Sequence, residues 1–246
     1  MRLALIADIH GNLPALDAVL AEIRREGVDR IVCLGDISLG PQTVETLERV
    51  RSLDCPVIMG NWDAWLLGGM PQLEGRLGKV LGDLRSWSAE QLSAEQRHHL
   101  TGFRPTVEVA LADGATLLAF HGSPRSFEDM ILATTPDEEV EEMLADRSEL
   151  VLAGGHTHFQ LFRRLGESVL LNPGSIGMPF RRPHSGIMEI ARCAEYALVQ
   201  HDGDRLSIEL RRTAFDVDGL LRAMREGGMP HAEWWAALWT AESTGA

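Results

Sequence analysis

Five times along this chain a short apolar run ends in a carboxylate, an amide or an imidazole. The first run, Leu-Ala-Leu-Ile-Ala over residues 3–7, leads into Asp8 and His10. Residues 30–34 lead into Gly35-Asp36, and residues 56–59 into Gly60-Asn61-Trp62-Asp63. Residues 115–120 run into His121, and residues 150–153 into Gly154-Gly155-His156-Thr157-His158. Runs this short, bounded by glycines, read as strands buried on both faces. Polar groups at the carboxyl ends of such strands are what a site in an open α/β sheet is built from.

The first half reads as repeated strand-then-helix units. If the strand stays extended to its end, Asp8 and His10 leave it on one face, because residues two apart point the same way. Leu13, Leu16, Val19, Leu20 and Ile23 then recur at helical spacing, Pro14 suits a first turn, and Gly27 ends the helix. A second strand at 30–34, a helix from about 42 to 52 and a third strand at 56–59 follow. Three such units predict a mostly parallel sheet with right-handed crossovers.

Residues 64–103 interrupt this pattern. Gly68, Gly69, Pro71, Gly75, Gly78 and Gly82 predict a loose stretch. Ser88-x-x-Gln91 and Ser93-x-x-Gln96 both have capping-box spacing, and the segment reads as a helical insertion, either a lid or a plain cover. His98 and His99 read as surface residues. From Thr106 the chain is strand-rich, with Asp113-Gly114 marking a hairpin and antiparallel strands at 186–191, 195–201 and 205–211. A helical tail over 216–246 carries Trp234, Trp235 and Trp239, of which the last two share a face. The absence of linkers and repeats predicts one domain over residues 1–246.

Composition bounds the function. Net charge is −13, which argues against an extended nucleic-acid footprint. No apolar run reaches the ~18 residues of a membrane span, and the N-terminus enters a strand without a signal-peptide layout. The expectation is a cytoplasmic protein with no membrane partner. Cys33, Cys55 and Cys193 read as reduced thiols. No Gly-Lys-Ser/Thr phosphate loop or paired-cysteine zinc ribbon is present.

The strand ends together offer Asp8, His10, Asp36, Asn61, His121, His156 and His158. These seven are too many for one tetrahedral zinc and suit two ions sharing a carboxylate. Mixed nitrogen and oxygen donors favour Mn²⁺ foremost, with Fe, Zn²⁺ or Ni²⁺ as alternatives, over Ca²⁺ or Mg²⁺.

Asp8-x-His10, Gly35-Asp36 with Gly40, Gly60-Asn61-x-Asp63, His121-Gly122 and Gly155-His156-x-His158 occur in that order. In this the chain resembles the calcineurin-like metallophosphoesterases, and within them the small bacterial and archaeal phosphodiesterase-like branch, over roughly residues 1–215. The resemblance implies a four-layer α/β/β/α sandwich, the metallo-dependent phosphatase fold, here with a helical insertion. It implies that Asp8, His10 and His158 hold one metal, that Asn61, His121 and His156 hold the other, and that Asp36 bridges them. Asp36, Asn61 and Asp63 become the catalytic candidates. The turn Asn172-Pro173-Gly174-Ser175 also resembles that branch and reads as a structural closure beside the site.

One position departs from the family. Many members carry a histidine after the Gly-Asn pair, thought to protonate the leaving group; this chain has Trp62. His184 is a substitute by residue type alone. The expected activity is hydrolysis of phosphodiesters or small phosphorylated metabolites by a metal-bridging hydroxide. The alternatives are a protein-binding scaffold like the retromer subunit of this fold, a dinucleoside polyphosphate hydrolase, or a phosphoprotein phosphatase. The expected partner is a small phosphorylated substrate, and a homo-oligomer through the tryptophan helix is a further expectation.

Overall fold

In the computed structural model, residues 3–7 alternate between two cores, as a pleated strand must. Leu3, Leu5 and Ala7 face one apolar cluster with Val32, Leu117, Val151 and Val199, while Ala4 and Ile6 face another with Leu16, Leu20, Leu220 and Trp239. The structure describes residues 1–145, 147–181 and 189–240, with the side chain of residue 240 left aside.

The elements run in order β1 (Arg2–Ile6), α1 (Leu13–Glu26), β2 (Arg30–Cys33), α2 (Thr43–Arg51), α3 (Asn61–Gly68), α4 (Gly75–Gln91) and α5 (Ala94–Leu100). Then come β3 (Val107–Ala110), β4 (Thr116–Ala119), α6 (Asp137–Leu144), β5 (Val151–Ala153), β6 (Gln160–Leu165) and β7 (Ser168–Pro173). The chain continues with β8 (Phe180–Arg181), β9 (Glu189–Ile190), β10 (Ala194–Asp202), β11 (Arg205–Thr213), α7 (Val217–Glu226) and α8 (Ala232–Thr240).

One sheet has the order β11-β10-β1-β2 and the other β3-β4-β5-β7-β6. The sheets share the core of Leu3, Leu5, Val32, Leu117, Val151 and Leu171. Helices α1, α4, α7 and α8 cover the outer face of the first sheet, and α6 covers that of the second. The result is a four-layer α/β/β/α sandwich. Both sheets are mixed: β1 is parallel to β2 but antiparallel to β10, and β4, β5 and β7 run parallel between the antiparallel edges β3 and β6.

Several expectations change. The strand at 56–59 reduces to single bridges, Cys33 with Val57 and Ile58 with Arg104. The glycine-rich stretch is mostly helix: α4 spans Gly75, Gly78 and Gly82, and burial of Val80 and Leu84 outweighs the poor propensity of those glycines. Gly78 even has a packing reason, since a Cβ there would lie 2.0 Å from the Leu73 carbonyl oxygen. Ser88 is therefore a buried residue inside α4, hydrogen-bonded by Thr43 at 3.4 Å, whereas Ser93 and Gln96 do form the capping box of α5. His98 is exposed, but His99 is half-buried with its ring edge-on to Phe103. Of the strand expected at 186–191, residues 189–190 pair with β8, and residues 186–188 lie outside the described ones.

The tail packs on its own chain. Trp235 and Trp239 are 7% and 2% exposed, and Trp239 sits edge-on to Phe215. Trp239→Leu should cost about 2 kcal/mol by removing buried ring volume, a drop of about 4–8 °C in Tm for a chain this long. Thermal unfolding followed by circular dichroism measures it, and an unchanged Tm would overturn the packing account.

Glu195 carries an internal stress. It is buried on β10, with Oε1 accepting from Arg212 Nε at 2.9 Å and Oε2 unpartnered. Burial pushes its carboxyl up to about 7 from the ordinary 4.5, against the pull of Arg212. Because the folded value is raised, its stabilising contribution is fully present below 4.5 and is lost as pH rises through about 7. Glu195→Gln should therefore raise Tm more at pH 8 than at pH 5. Equal shifts at both pH values would contradict this.

Candidate metal centre

The carboxyl ends of β1, β2, β4 and β5 meet at one edge of the sandwich, and the side chains that follow them converge there. The convergence of Asp8 and His10 does not come from an extended strand, as the sequence suggested. β1 stops at Ile6, and both residues take left-handed backbone, with φ of 54° and 48°. Asp36, His156 and His158 do the same at 53°, 69° and 61°. For non-glycine residues this conformation is costly and persists only where the surroundings impose it. Ile9 and His10 N–H groups both donate to the Asp36 carbonyl, so the two loops brace each other. Close backbone approach demands glycine beside them. A Cβ on Gly40 would sit 1.8 Å from the His10 carbonyl oxygen, and one on Gly60 would sit 2.0 Å from Asp36 Oδ1.

Asp8, His10 and His158 bring ligand atoms within 4.8 Å of one another, as do Asp36, His121 and His156. Asn61 joins the second group, its Oδ1 lying 3.0 Å from His156 Nδ1 and 3.1 Å from His121 Nε2. Asp36 Oδ2 lies 3.4 Å from His121 Nε2 and 3.8 Å from His10 Nε2, so it faces both groups. Six of the seven are buried and His156 is half-buried. Asp63 stands apart. Its carboxylate accepts the backbone N–H groups of Ser38 at 3.1 Å and of Ile37 and Gly60 at 3.4 Å, and so positions the loop that carries Asp36. His184 lies outside the described residues.

The donor chemistry fits cations. His121 Nδ1 donates to the Leu34 carbonyl at 2.7 Å and His158 Nδ1 to the Met178 carbonyl at 2.8 Å. A carbonyl can only accept, so each ring turns its Nε2 into the site, and that nitrogen offers a lone pair once the ring is neutral. His158 Nε2 then meets His10 Nε2 at 3.0 Å, and His121 Nε2 meets the Asn61 oxygen. Asp36 Oδ2 is buried with no hydrogen-bond partner. A buried site crowded with ring nitrogens, an amide oxygen and carboxylate oxygens favours positive charge among them, as a proton or a cation.

Burial and charge act differently on the four histidines. Burial holds His10 and His156 down at about 4 and His158 well below its ordinary value, so their lone pairs are free at neutral pH. His121 goes the other way: burial opposes its charge, but Asp36 and Asp8 raise it to about 9. Burial pushes Asp8 well up, whereas Asp36 is held down against burial by His121 and His10. The bare site keeps a proton where a cation would sit. Burial and the nearby Asp36 push Asp63 up to about 6.

The profile of the calcineurin-like phosphoesterase superfamily domain matches residues 1–193. This chain belongs to that superfamily. An uncharacterised protein of Methanocaldococcus jannaschii is 26% identical over 248 residues, covering 94% of each chain. A crystal structure of a metallophosphoesterase from Sphaerobacter thermophilus superposes with a TM-score of 0.71 at 26% identity, over 94% of this chain and 96% of that one. A hypothetical protein from Pyrococcus horikoshii OT3 shares the fold, with a TM-score of 0.77 at 24% identity over 97% of both chains. The superfamily is one of metal-dependent phosphoesterases, and two candidate ligand groups are in place here. Among the described residues no helix is long and apolar enough to cross a membrane.

The structure also shows parts of the centre that the sequence hid. The carbonyls of Leu34 and Met178 orient two ligands, and a backbone carbonyl leaves no mark in a sequence. Phe180 stacks on His158 with ring centres 4.7 Å apart. The Asn172–Ser175 turn does tie the site loops together. Asn172 Nδ2 donates to the Gly155 carbonyl at 2.6 Å, and Ser175 Oγ donates to the Asp8 carbonyl at 2.7 Å.

Proposed function

We propose that this protein is a phosphodiesterase that works with two divalent transition-metal ions, Mn²⁺ foremost, and hydrolyses phosphodiesters or small phosphorylated metabolites. The observation that carries the reading is Asp36 Oδ2, buried, without a hydrogen bond and within 3.8 Å of a ring nitrogen from each ligand group. Asp8, His10 and His158 would hold one ion, Asn61, His121 and His156 the other, and Asp36 both. When bound, such ions neutralise charge on the phosphoryl oxygens and acidify a water nucleophile.

The chain's own residues supply orientation. The Trp62 N–H fixes Asp36 Oδ1 at 2.9 Å, and the His156 N–H fixes the Asp8 carboxylate at 3.1 Å. Asp63 anchors the loop between them. Ligands preset in this way need little rearrangement at the moment of reaction. A scaffold needs none of these groups, yet all seven donors are present and converge. The three unpaired cysteines support a reducing, cytoplasmic setting.

The test is reconstitution. Chelated protein should be inert toward bis-p-nitrophenyl phosphate, and Mn²⁺ should restore turnover as two ions bind per chain by elemental analysis. Protein that binds two ions and turns over neither this diester nor p-nitrophenyl phosphate would refute the proposal.

A further inference from the structure

Six of the seven site residues are buried and only His156 is half-open, so a substrate reaches the centre past His156 and its partner Asn61. A groove of about 450 Å³ begins at Asn61 and continues over Ala64, Trp65, Arg125, Phe127 and Glu128. Its volume falls in the range of small-molecule sites.

Trp65 is held as a platform. Its indole N–H donates to Glu128 Oε1 at 3.1 Å, and its ring packs edge-on against Trp62 with centres 4.6 Å apart. Trp62 in turn sits edge-on to His10 at 6.4 Å. An aromatic wall therefore runs from a candidate ligand to the groove, and Trp65 and Phe127 remain half-exposed along it. The groove's cation is already committed: Arg125 Nε binds Asp129 Oδ2 and Arg125 Nη1 binds Glu142 Oε1, each at 3.0 Å. Among the described residues the groove thus offers half-exposed aromatic rings and no cation besides the committed Arg125 for a second phosphate. The cavity on the other side, against His10 and Trp62, measures about 30 Å³, enough for about two waters and too small for a ring.

Resting on the phosphodiesterase reading above, we propose that this groove binds a planar aromatic ester group of the substrate, stacked on Trp65 and Phe127. The substrate class narrows to aromatic phosphodiesters, and polyphosphate chains are disfavoured. A flat ring arrives on phosphate either as a nucleobase or as a simple aryl group, and both present the same π face.

The test uses non-hydrolysable phosphonates on the Mn²⁺-loaded full chain, with Kd from calorimetry. Methylphosphonate, 1-naphthylmethylphosphonate and an adenosine 5′-phosphonate form the series. Aromatic ligands should bind about tenfold more tightly than methylphosphonate, as stacking plus ring burial provides. Trp65→Ala and Phe127→Ala should each erase most of that ratio, and Trp65→Phe should keep part of it. Tighter binding of the adenosine arm points to a nucleoside source, and of the naphthyl arm to a simple aryl one; either supports the groove. Equal binding of methyl and aromatic phosphonates would overturn the groove alone, as would a ratio left intact in both folded alanine variants. No binding of any phosphonate would overturn the phosphodiesterase reading beneath it.

Discussion

Asp36→Asn should lower diester turnover by about 10²–10³-fold, the size of losing one major electrostatic group, and should reduce bound metal from two ions per chain toward one. The substitution is nearly isosteric, so Oδ1 can still accept the Trp62 N–H now 2.9 Å away. Position Oδ2 becomes an amide NH₂ and turns from acceptor to donor. It would then face His121 Nε2 and His10 Nε2, 3.4 and 3.8 Å away, with no lone pair to share with either ion. Removing the carboxylate also removes the main attraction that keeps His121 charged to about 9 in the bare site. His158→Ala is the contrast: it touches the group of Asp8 and His10 and should leave the other group better occupied. Elemental analysis with parallel rates on bis-p-nitrophenyl phosphate reads both variants. Two ions and unchanged turnover in Asp36→Asn would sink the shared-ligand assignment.

The seven donors were legible because each follows an apolar run within a few residues, and glycines such as Gly35 and Gly60 mark the turns. Their partition into two groups came from resemblance; Asp8, His10 and His158 lie within 4.8 Å of one another, as do Asp36, His121 and His156. What the sequence misrepresented is the reason Asp8 and His10 converge. Pleat alternation brings two residues to one face only while the strand lasts, and here it stops at Ile6. Tertiary bracing by the 35–37 loop then imposes left-handed backbone that no local propensity favours. The insertion misled for a related reason. Six glycines and prolines over 68–82 argue for loop, yet Val80 and Leu84 find buried places that outweigh the local cost. Trp62 was visible only as a missing histidine. Its indole lies between His10 and Trp65, and that needed three dimensions to see.

That placement makes the leaving-group dependence of this enzyme the sharpest consequence of its sequence. General acid help is worth about 10²–10⁴-fold, and an indole cannot give it. Among the described residues three titratable groups are committed elsewhere. Asp63 is consumed by three backbone N–H groups, His231 is paired with Asp83 at 2.7 Å, and His99 is packed on Phe103. Diester hydrolysis should therefore slow steeply as the leaving alcohol becomes more basic, because no group among these described residues offsets charge on the departing oxygen. Across an aryl-to-alkyl series the loss should reach about 10²-fold or more beyond that of an enzyme with an acid in place. Trp62→His should recover part of the alkyl kcat and change kcat for good aryl leaving groups little. The same variant removes the ring that braces Trp65, so aromatic KM should rise while the slope falls. Those two readouts separate proton donation from positioning. The measurement is the slope of log kcat against leaving-group pKa, with KM read separately, for both proteins at fixed Mn²⁺. A shallow slope in the native enzyme would mean that another group already donates the proton, and the assignment of Trp62 as a wall in place of an acid would fall.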